Sequence, residues 1–152
     1  MKKNILNELG KRIVFFDGGM GTLLQERGLE AGELPENWNL EHPDIIRELH
    51  RDYLNAGADI ILANTFGANE LKFPDNLEEI VTKGVQNAKK AVEETGKDGY
   101  VALDVGPTGK LLKPLGTLDF EDAVSIFART IKAGAAAGAD RADDGRPCGR
   151  TD

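Results

Sequence analysis

Residues 12–22 read Arg-Ile-Val-Phe-Phe-Asp-Gly-Gly-Met-Gly-Thr, an apolar run that ends at an aspartate and a glycine-rich turn. Two later stretches repeat this arrangement. Residues 59–63, Asp-Ile-Ile-Leu-Ala, precede Asn-Thr-Phe-Gly, and residues 100–103, Tyr-Val-Ala-Leu, precede Asp-Val-Gly-Pro. A short run that is apolar throughout, without alternation, is typical of a buried strand in a parallel sheet. The sequence therefore predicts three buried parallel strands with polar loops at their carboxyl ends.

Helical periodicity occupies the segments between and after these runs, at residues 43–56, 76–95 and 119–137. In the last segment the predicted core-facing stripe consists of Phe120, Ala123, Val124, Phe127 and Ile131. Glycines follow the first two helices, as is common at helix ends. The order β-α-β-α-β-α predicts an α/β fold with right-handed crossovers. An insert at residues 28–42 is expected to fold over one end of the sheet.

The length, charge and cysteine content of the chain limit the classes of protein to which it can belong. The chain has 152 residues, which allows one domain, and a formal net charge of −7, which disfavours nucleic acids and anionic membrane surfaces as partners. No apolar run approaches the ~20 residues needed to cross a bilayer, and polar residues interrupt the amino-terminal segment, so we expect a cytoplasmic protein. One cysteine and two histidines supply neither a disulfide framework nor a complete zinc site.

The carboxyl end departs from this pattern. Residues 137–140, Ala-Gly-Ala-Asp, repeat residues 56–59, which lead into the second strand. A fourth apolar strand is expected next, but residues 141–152 contain no Val, Ile, Leu, Met or aromatic residue. We therefore expect a domain at residues 1–140 and a polar tail at 141–152, which is either disordered or the product of a shifted reading frame.

The strand-end loops hold the candidate binding residues. Asp17 with Gly18 and Gly19 could form an anion-binding turn, could bind an ammonium group through the carboxylate, or could simply cap the next helical turn. Thr65 and Phe66 offer a hydroxyl and an aromatic wall for a small polar ligand. His42 and His50 are interpreted as structural.

Taken together, these motifs resemble the homocysteine S-methyltransferase family, and within it the amino-terminal homocysteine-binding domain of the cobalamin-dependent methionine synthase branch. The resemblance spans roughly residues 9–140. It rests on the motifs at residues 12–22, 35–39, 50–53, 56–61, 64–68, 106–109 and 114–116.

The resemblance implies the amino-terminal part of a (β/α)₈ barrel, a fold of ~250 residues whose sites lie at the carboxyl ends of the strands. It assigns Asp17, Gly18, Gly19, Thr65 and Phe66 to a homocysteine pocket. It also implies a zinc ion held by three cysteine thiolates on later strands, methylcobalamin as methyl donor, and cobalamin- and folate-binding domains in a longer parent chain. No catalytic or metal-binding residue is assigned within this sequence.

The zinc thiolates matter because coordination deprotonates the homocysteine thiol, which then attacks the methyl donor. Since the sequence lacks those cysteines, we expect this chain alone to be an inactive fragment of an S-methyltransferase that makes methionine. Two other interpretations stay open: a non-catalytic half-barrel that binds a small ligand or phosphate, and a non-functional truncated gene product.

Overall fold

The computed structural model describes residues 5–143, and for residues 141–143 it describes the backbone alone. The helices are α1 (Gly21–Glu26), α2 (Trp38–Glu41), α3 (Pro43–Ala56), α4 (Leu77–Thr95) and α5 (Phe120–Ala136). The strands are β1 (Ile60–Leu62), β2 (Tyr100–Asp104) and β3 (Arg141–Asp143). Short 3-10 helices occur at Ile5–Asn7 and Pro35–Asn37.

The sheet is parallel and its strands follow chain order, β1-β2-β3. Ile60 lies opposite Tyr100, and Ala102 lies opposite Arg141. On the outer side of β1, Phe16 forms a single parallel bridge to Ile60. Each neighbour in the sheet is also the next extended segment in sequence, as in a (β/α)₈ barrel, whereas a doubly wound sheet reverses its order partway. The predicted α/β class with parallel strands is confirmed.

The first apolar run differs from the prediction of a buried strand. Asp59 N–H donates to the carbonyl oxygen of Phe15 at 2.8 Å, so the run lies along β1 as expected. Three of its four apolar side chains are nevertheless open to solvent, with Ile13 73%, Phe15 56% and Phe16 50% exposed, while Val14 is partly buried. The reason is its position at the sheet edge, since no described residue pairs with its other side. The prediction of burial was wrong because burial requires that missing neighbour.

An ion pair fixes this edge segment to the sheet. Arg12 Nη1 and Nη2 donate to the two carboxylate oxygens of Asp59, each at 2.9 Å. The hydrogen bond from Arg12 is the main reason that the pKa of Asp59 lies below its ordinary value. Phe15 N–H adds a third hydrogen bond to the same carboxylate, at 2.9 Å. The segment therefore keeps a defined path without burying its apolar side chains.

Residues 141–143 were predicted to lie outside the fold, yet their backbone forms β3 and pairs with β2. Backbone N–H and C=O groups form a ladder whatever the side chains are, so apolar residues are not required for this pairing. The strand begins directly after Asp140, where the repeated Ala-Gly-Ala-Asp motif places it. The rest of the predicted tail, residues 144–152, lies outside the described residues.

The long helices confirm the predicted segments to within about one residue at each end. Gly57 and Gly96 end α3 and α4 with left-handed backbone, at φ 112° and 63°. Helices α3 and α4 pack on one face of the sheet and form most of the core with it. That core includes Leu54, Ile61, Leu77, Ile80, Val81, Val85, Val101 and Leu103. Among the described residues, no helix is both long enough and apolar enough to cross a lipid bilayer.

The buried face of α5 is not the predicted stripe. Phe120 is 66% exposed, and Val124 and Ile131 are also exposed. The helix instead packs through a neighbouring face of mostly small residues, namely Ala123, Ile126, Thr130, Ala133 and Gly134. Gly134 allows this close approach, because a Cβ there would lie 2.4 Å from Leu103 Cδ2. Helix α5 is the last described helix, so a neighbour covers it on one side only.

The second predicted structural histidine, His50, is fully buried in α3, and neither ring nitrogen has a hydrogen-bond partner among the described residues. Burial lowers its pKa from 6.5 to about 4. The folded state therefore holds His50 neutral, while the unfolded chain protonates it below pH 6.5. The folded state therefore keeps its full stability above pH 6.5. It loses the part that depends on neutral His50 as the pH falls towards 4.

We expect His50→Leu to remove this part of the acid sensitivity. A shift of this size corresponds to about 3 kcal/mol of unfolding free energy at the acid end. Urea unfolding at pH 7, 5 and 4 measures it, with His42→Leu, at an exposed position, as the matched control. An unchanged pH dependence in His50→Leu would show that His50 does not titrate in this window.

Candidate functional site

A cavity of about 500 Å³ lies at the carboxyl ends of the strands. Four chain segments surround it: the turn after the first apolar run, the insert, the end of β1 with the loop that follows it, and the end of β2. Its lining residues are Asp17, Gly18, Gly19, Met20, Gly21, Pro35, Glu36, Leu62, Ala63, Asn64, Thr65, Phe66 and Asp104. All five residues predicted to bind substrate thus line one cavity.

Asp17 joins the glycine-rich turn to the neighbouring strand. Its Oδ2 accepts a hydrogen bond from the backbone N–H of Leu62 at 2.9 Å. It had also been a candidate cap for the helical turn that follows. The N-cap of α1 is Met20, which provides no side-chain capping hydrogen bond. Asp17 therefore places its carboxylate between the two strand ends, at the wall of the cavity.

Tyr53 of α3 forms a hydrogen bond to the glycine-rich turn. Its hydroxyl donates to the carbonyl oxygen of Gly19 at 2.8 Å, and a Cβ on Gly18 would lie 2.9 Å from that hydroxyl oxygen. A side chain at position 18 would therefore displace the Tyr53 hydroxyl from the turn. Burial, together with the negative charge of Asp17, raises the pKa of Tyr53, so its hydroxyl remains a donor at neutral pH. Gly19 has more room, since a Cβ there would lie 3.8 Å from Thr22 Oγ1.

Thr65 and Phe66 contribute to the cavity in different ways. Thr65 is fully buried, and its hydroxyl donates to the carbonyl oxygen of Asp104 at 2.8 Å while accepting from Asp104 N–H at 3.2 Å. This pair of bonds fixes the end of β2 against the loop after β1. Phe66 is 56% exposed at the cavity mouth, and its carbonyl oxygen accepts from Gly106 N–H at 3.0 Å.

The insert covers this end of the sheet, as predicted, through a buried amide network. Asn39 Nδ2 donates to the carbonyl oxygen of Asn64 at 2.8 Å, and Asn64 Nδ2 donates to the carbonyl oxygen of Pro35 at 2.9 Å. Asn87 of α4 donates to the backbone oxygen of Asn39 at 3.0 Å. The network sets the position of the loop that carries Thr65 and Phe66.

Sequence reasoning missed two carboxylates of the cavity, Glu36 and Asp104. Asp104 had a signal that could have identified it, because it directly follows an apolar strand, as Asp17 does. Glu36 had none, since it lies in the irregular insert and reaches the cavity only through tertiary packing. Counting only residues that the structure describes, the lining therefore holds three carboxylates and no Lys, Arg or His side chain. Such a lining favours an ammonium group and disfavours phosphate.

The described residues do not fit a zinc site. Within residues 5–143, no group of three or more His, Cys, Asp or Glu side chains is arranged to hold a metal ion. The single cysteine, Cys148, lies outside the described residues. Among the described residues, the cavity is lined by carboxylates, a glycine-rich turn and an aromatic ring, without thiolates for a metal.

Comparisons with known proteins match this chain to homocysteine methyltransferases and methionine synthases. The family model described as homocysteine S-methyltransferase matches residues 14–142. The methionine synthases of Mycobacterium tuberculosis (strain ATCC 25618 / H37Rv) and Mycobacterium leprae (strain TN) are each 34% identical over 124 residues. That match covers 71% of this chain and 10% of each relative, so the chain spans about a tenth of their length.

Solved structures of the homocysteine methyltransferase MmuM from Escherichia coli are similar as well. The oxidised form gives a TM-score of 0.77 at 26% identity, covering 92% of this chain and 56% of that one. The metallated form gives 0.76 at 25% identity, covering 90% and 55%.

Proposed function

We propose that this chain, which belongs to the homocysteine S-methyltransferase family, forms the amino-terminal part of a (β/α)₈ barrel and that its cavity binds the amino-acid end of homocysteine. The observation that carries the proposal is the cavity itself. It lies at the carboxyl ends of parallel strands, where barrel enzymes bind their substrates. Its lining combines carboxylates, a glycine-rich turn and an aromatic ring at the mouth.

Two features support an incomplete barrel. Within residues 5–143 the sheet has four parallel extended segments in chain order, counting the single bridge at Phe16, and a barrel of this type has eight strands. The exposed apolar side chains lie at the two ends of this series, on the edge segment at Ile13 and Phe15 and on α5 at Phe120. Further βα units of a longer chain would cover both ends. The domain proposed at residues 1–140 then extends through β3.

The amino-acid end of homocysteine carries an ammonium and a carboxylate group. We assign the ammonium to Asp17, whose carboxylate lines the cavity, because opposite charges at hydrogen-bond distance bind strongly. We assign the substrate carboxylate to the backbone N–H groups of the turn at Gly18 and Gly19, which line the same cavity. Phe66 covers the mouth of the cavity. Thr65 holds the backbone of Asp104 in position through two hydrogen bonds.

Transfer of a methyl group to the homocysteine thiol is proposed for the longer parent protein. Zinc would lower the pKa of that thiol, and its ligands would come from other parts of the parent, because the described residues do not hold a metal. Methylcobalamin as donor, cobalamin- and folate-binding domains as partners, and a cytoplasmic location stay predictions from the sequence.

We expect Asp17→Asn to weaken homocysteine binding by about 10- to 100-fold, since a hydrogen bond to a charged group contributes about 1.5–3 kcal/mol. The asparagine oxygen can still accept from Leu62 N–H, so the turn keeps its support. Isothermal titration calorimetry with homocysteine measures the effect, and Asp75→Asn, at an exposed position, is the matched control.

Equal affinity of Asp17→Asn and the unsubstituted chain would contradict the assignment of Asp17. Tighter binding of inorganic phosphate than of homocysteine would favour the phosphate-binding half-barrel. The zinc content of a complete parent enzyme should not change in Asp17→Asn, because the proposed metal ligands lie elsewhere.

A further inference from the structure

The turn at residues 65–68 carries two of the residues predicted to bind substrate. Its hydrogen bond runs from the N–H of Ala68 to the carbonyl oxygen of Thr65, at 2.9 Å. Thr65 and Ala68 are buried, whereas the side chain of Phe66 is exposed at the cavity mouth. The turn therefore presents one aromatic side chain to the cavity from a backbone that is otherwise enclosed by the protein.

Each residue of this turn is hydrogen bonded to a different part of the fold. The first two, Thr65 and Phe66, are held by the end of β2 and by the loop after it. The N–H of Gly67 donates to Glu36 Oε1 at 2.6 Å, so the insert holds the third residue. The fourth residue is held by α5, because Thr130 Oγ1 donates to the carbonyl oxygen of Ala68 at 3.0 Å.

The hydroxyl of Thr130 is directed away from its own helix. A serine or threonine hydroxyl in a helix commonly donates to the carbonyl oxygen one turn earlier, as Ser125 of α5 does to Glu121 at 3.1 Å. Thr130 donates its single hydroxyl proton to the loop after β1. Thr130 is 1% exposed and is not among the residues that line the cavity, so it reaches the site only through Ala68.

The neighbouring residue of α5, Arg129, adds a second connection to the same loop. Its Nη1 donates to Glu70 Oε2 at 3.1 Å, and its Nη2 donates to Glu78 Oε2 at 2.9 Å. These ion pairs are partly exposed, so solvent screens them, whereas the bond from Thr130 is buried. Thr130 is therefore the α5 residue that best fixes the turn itself.

We propose that Thr130 is a positioning residue of the cavity: by holding the carbonyl group of Ala68, it fixes the turn that presents Phe66 to the bound amino acid. The proposal rests on the proposed function, since it concerns the same ligand. Thr130 does not touch that ligand. Its contribution to affinity arises because a turn that already has its bound conformation loses less entropy on binding.

Thr130→Val tests this role, because valine has the shape of threonine without the hydroxyl donor. We expect homocysteine to bind about 3- to 10-fold more weakly, the loss that ordering one or two mobile groups on binding produces. Thr130→Ser keeps the hydroxyl and should restore most of the affinity. Isothermal titration calorimetry at a temperature where every variant is folded measures both. Thr82→Val, on α4 and away from the cavity, is the matched control.

Amide hydrogen exchange separates positioning of the turn from a general loss of stability. The N–H groups of Ala68 and Gly106 both donate to the turn, whereas the N–H of Ala63 donates to Ala102 in the sheet, at 2.8 Å. In Thr130→Val we expect exchange to accelerate more at Ala68 and Gly106 than at Ala63, because only the turn loses a connection.

The unsubstituted chain provides a test that does not require Thr130→Val to fold. If the turn is fixed before the ligand arrives, the amides of Ala68 and Gly106 are already protected from exchange without homocysteine. Protection that appears only when homocysteine is added would show that the ligand orders the turn, and it would overturn the inference.

The outcomes also separate this inference from the proposed function. If the unsubstituted chain binds homocysteine and Thr130→Val binds it equally well, Thr130 does not position the site and the proposed function stands. Equal acceleration of exchange at Ala63, Ala68 and Gly106, or a Thr130→Ser variant as weak as Thr130→Val, assigns Thr130 a role in stability or packing alone. If the unsubstituted chain does not bind homocysteine, the proposed function and this inference both fail.

Discussion

Replacing Asn39 with alanine is expected to lower the free energy of unfolding by about 4 kcal/mol, because it removes the centre of a buried polar network. Asn39 is 1% exposed, and its Nδ2 donates to the carbonyl oxygens of Asn64 and Ile80 at 2.8 and 3.2 Å. Its Oδ1 accepts from Asn64 Nδ2 at 3.1 Å. Alanine leaves these buried groups with fewer partners and leaves a cavity as well.

Urea unfolding at neutral pH measures this loss. The matched control is Asn55→Ala, at an exposed position on α3, which should change the free energy of unfolding by no more than about 0.5 kcal/mol. Because Asn64 precedes Thr65 and Phe66, Asn39→Ala should weaken homocysteine binding too. A loss of stability in Asn39→Ala no larger than that of the control would show that the network contributes little.

Gly106→Ala is expected to reduce stability by about 3 kcal/mol through overpacking. A Cβ at position 106 would lie 2.3 Å from the backbone oxygen of Phe66 and 2.8 Å from its Cδ2. Side-chain rotation cannot relieve the first contact, so the loop after β1 must move. The same displacement should break the hydrogen bond from Gly106 N–H to Phe66 and lower the affinity for homocysteine.

Gly21→Ala is the matched control for this substitution. Position 21 begins α1, and nothing lies within 4 Å of a Cβ added there. Alanine at this helical position should leave stability unchanged or raise it slightly, because it restricts the unfolded chain. If thermal and urea unfolding place Gly106→Ala beside Gly21→Ala in stability, the loop after β1 has room that the structure does not show.

The candidate site shows which binding residues can be predicted from local sequence and which cannot. Asp17, Thr65 and Phe66 were selected because each follows an apolar run, and parallel strands bring such positions to one end of a sheet. The structure places them on one cavity. The same rule would have found Asp104, but it could not find Glu36, which belongs to no strand end and reaches the cavity because the insert folds back over β1.

The sequence by itself determined the long helices and the parallel direction of the strands. Apolar spacing and the glycines at 57 and 96 are local signals, and they fix α3 and α4 without reference to the rest of the chain. Parallel pairing followed from the alternation of strands and helices, because a crossover helix returns the chain in the same direction.

Only the tertiary structure decided which apolar faces are buried. Ile13 and Phe120 belong to well-formed apolar patterns but lie open to solvent, since each faces an end of the strand series where no described element packs. Conversely, residues 141–143, Arg-Ala-Asp, join the sheet without a large apolar side chain because backbone hydrogen bonds to β2 are sufficient. Apolar periodicity indicates which face of a segment can pack. Burial depends on neighbours that are distant in sequence, and a local pattern does not show whether those neighbours are present.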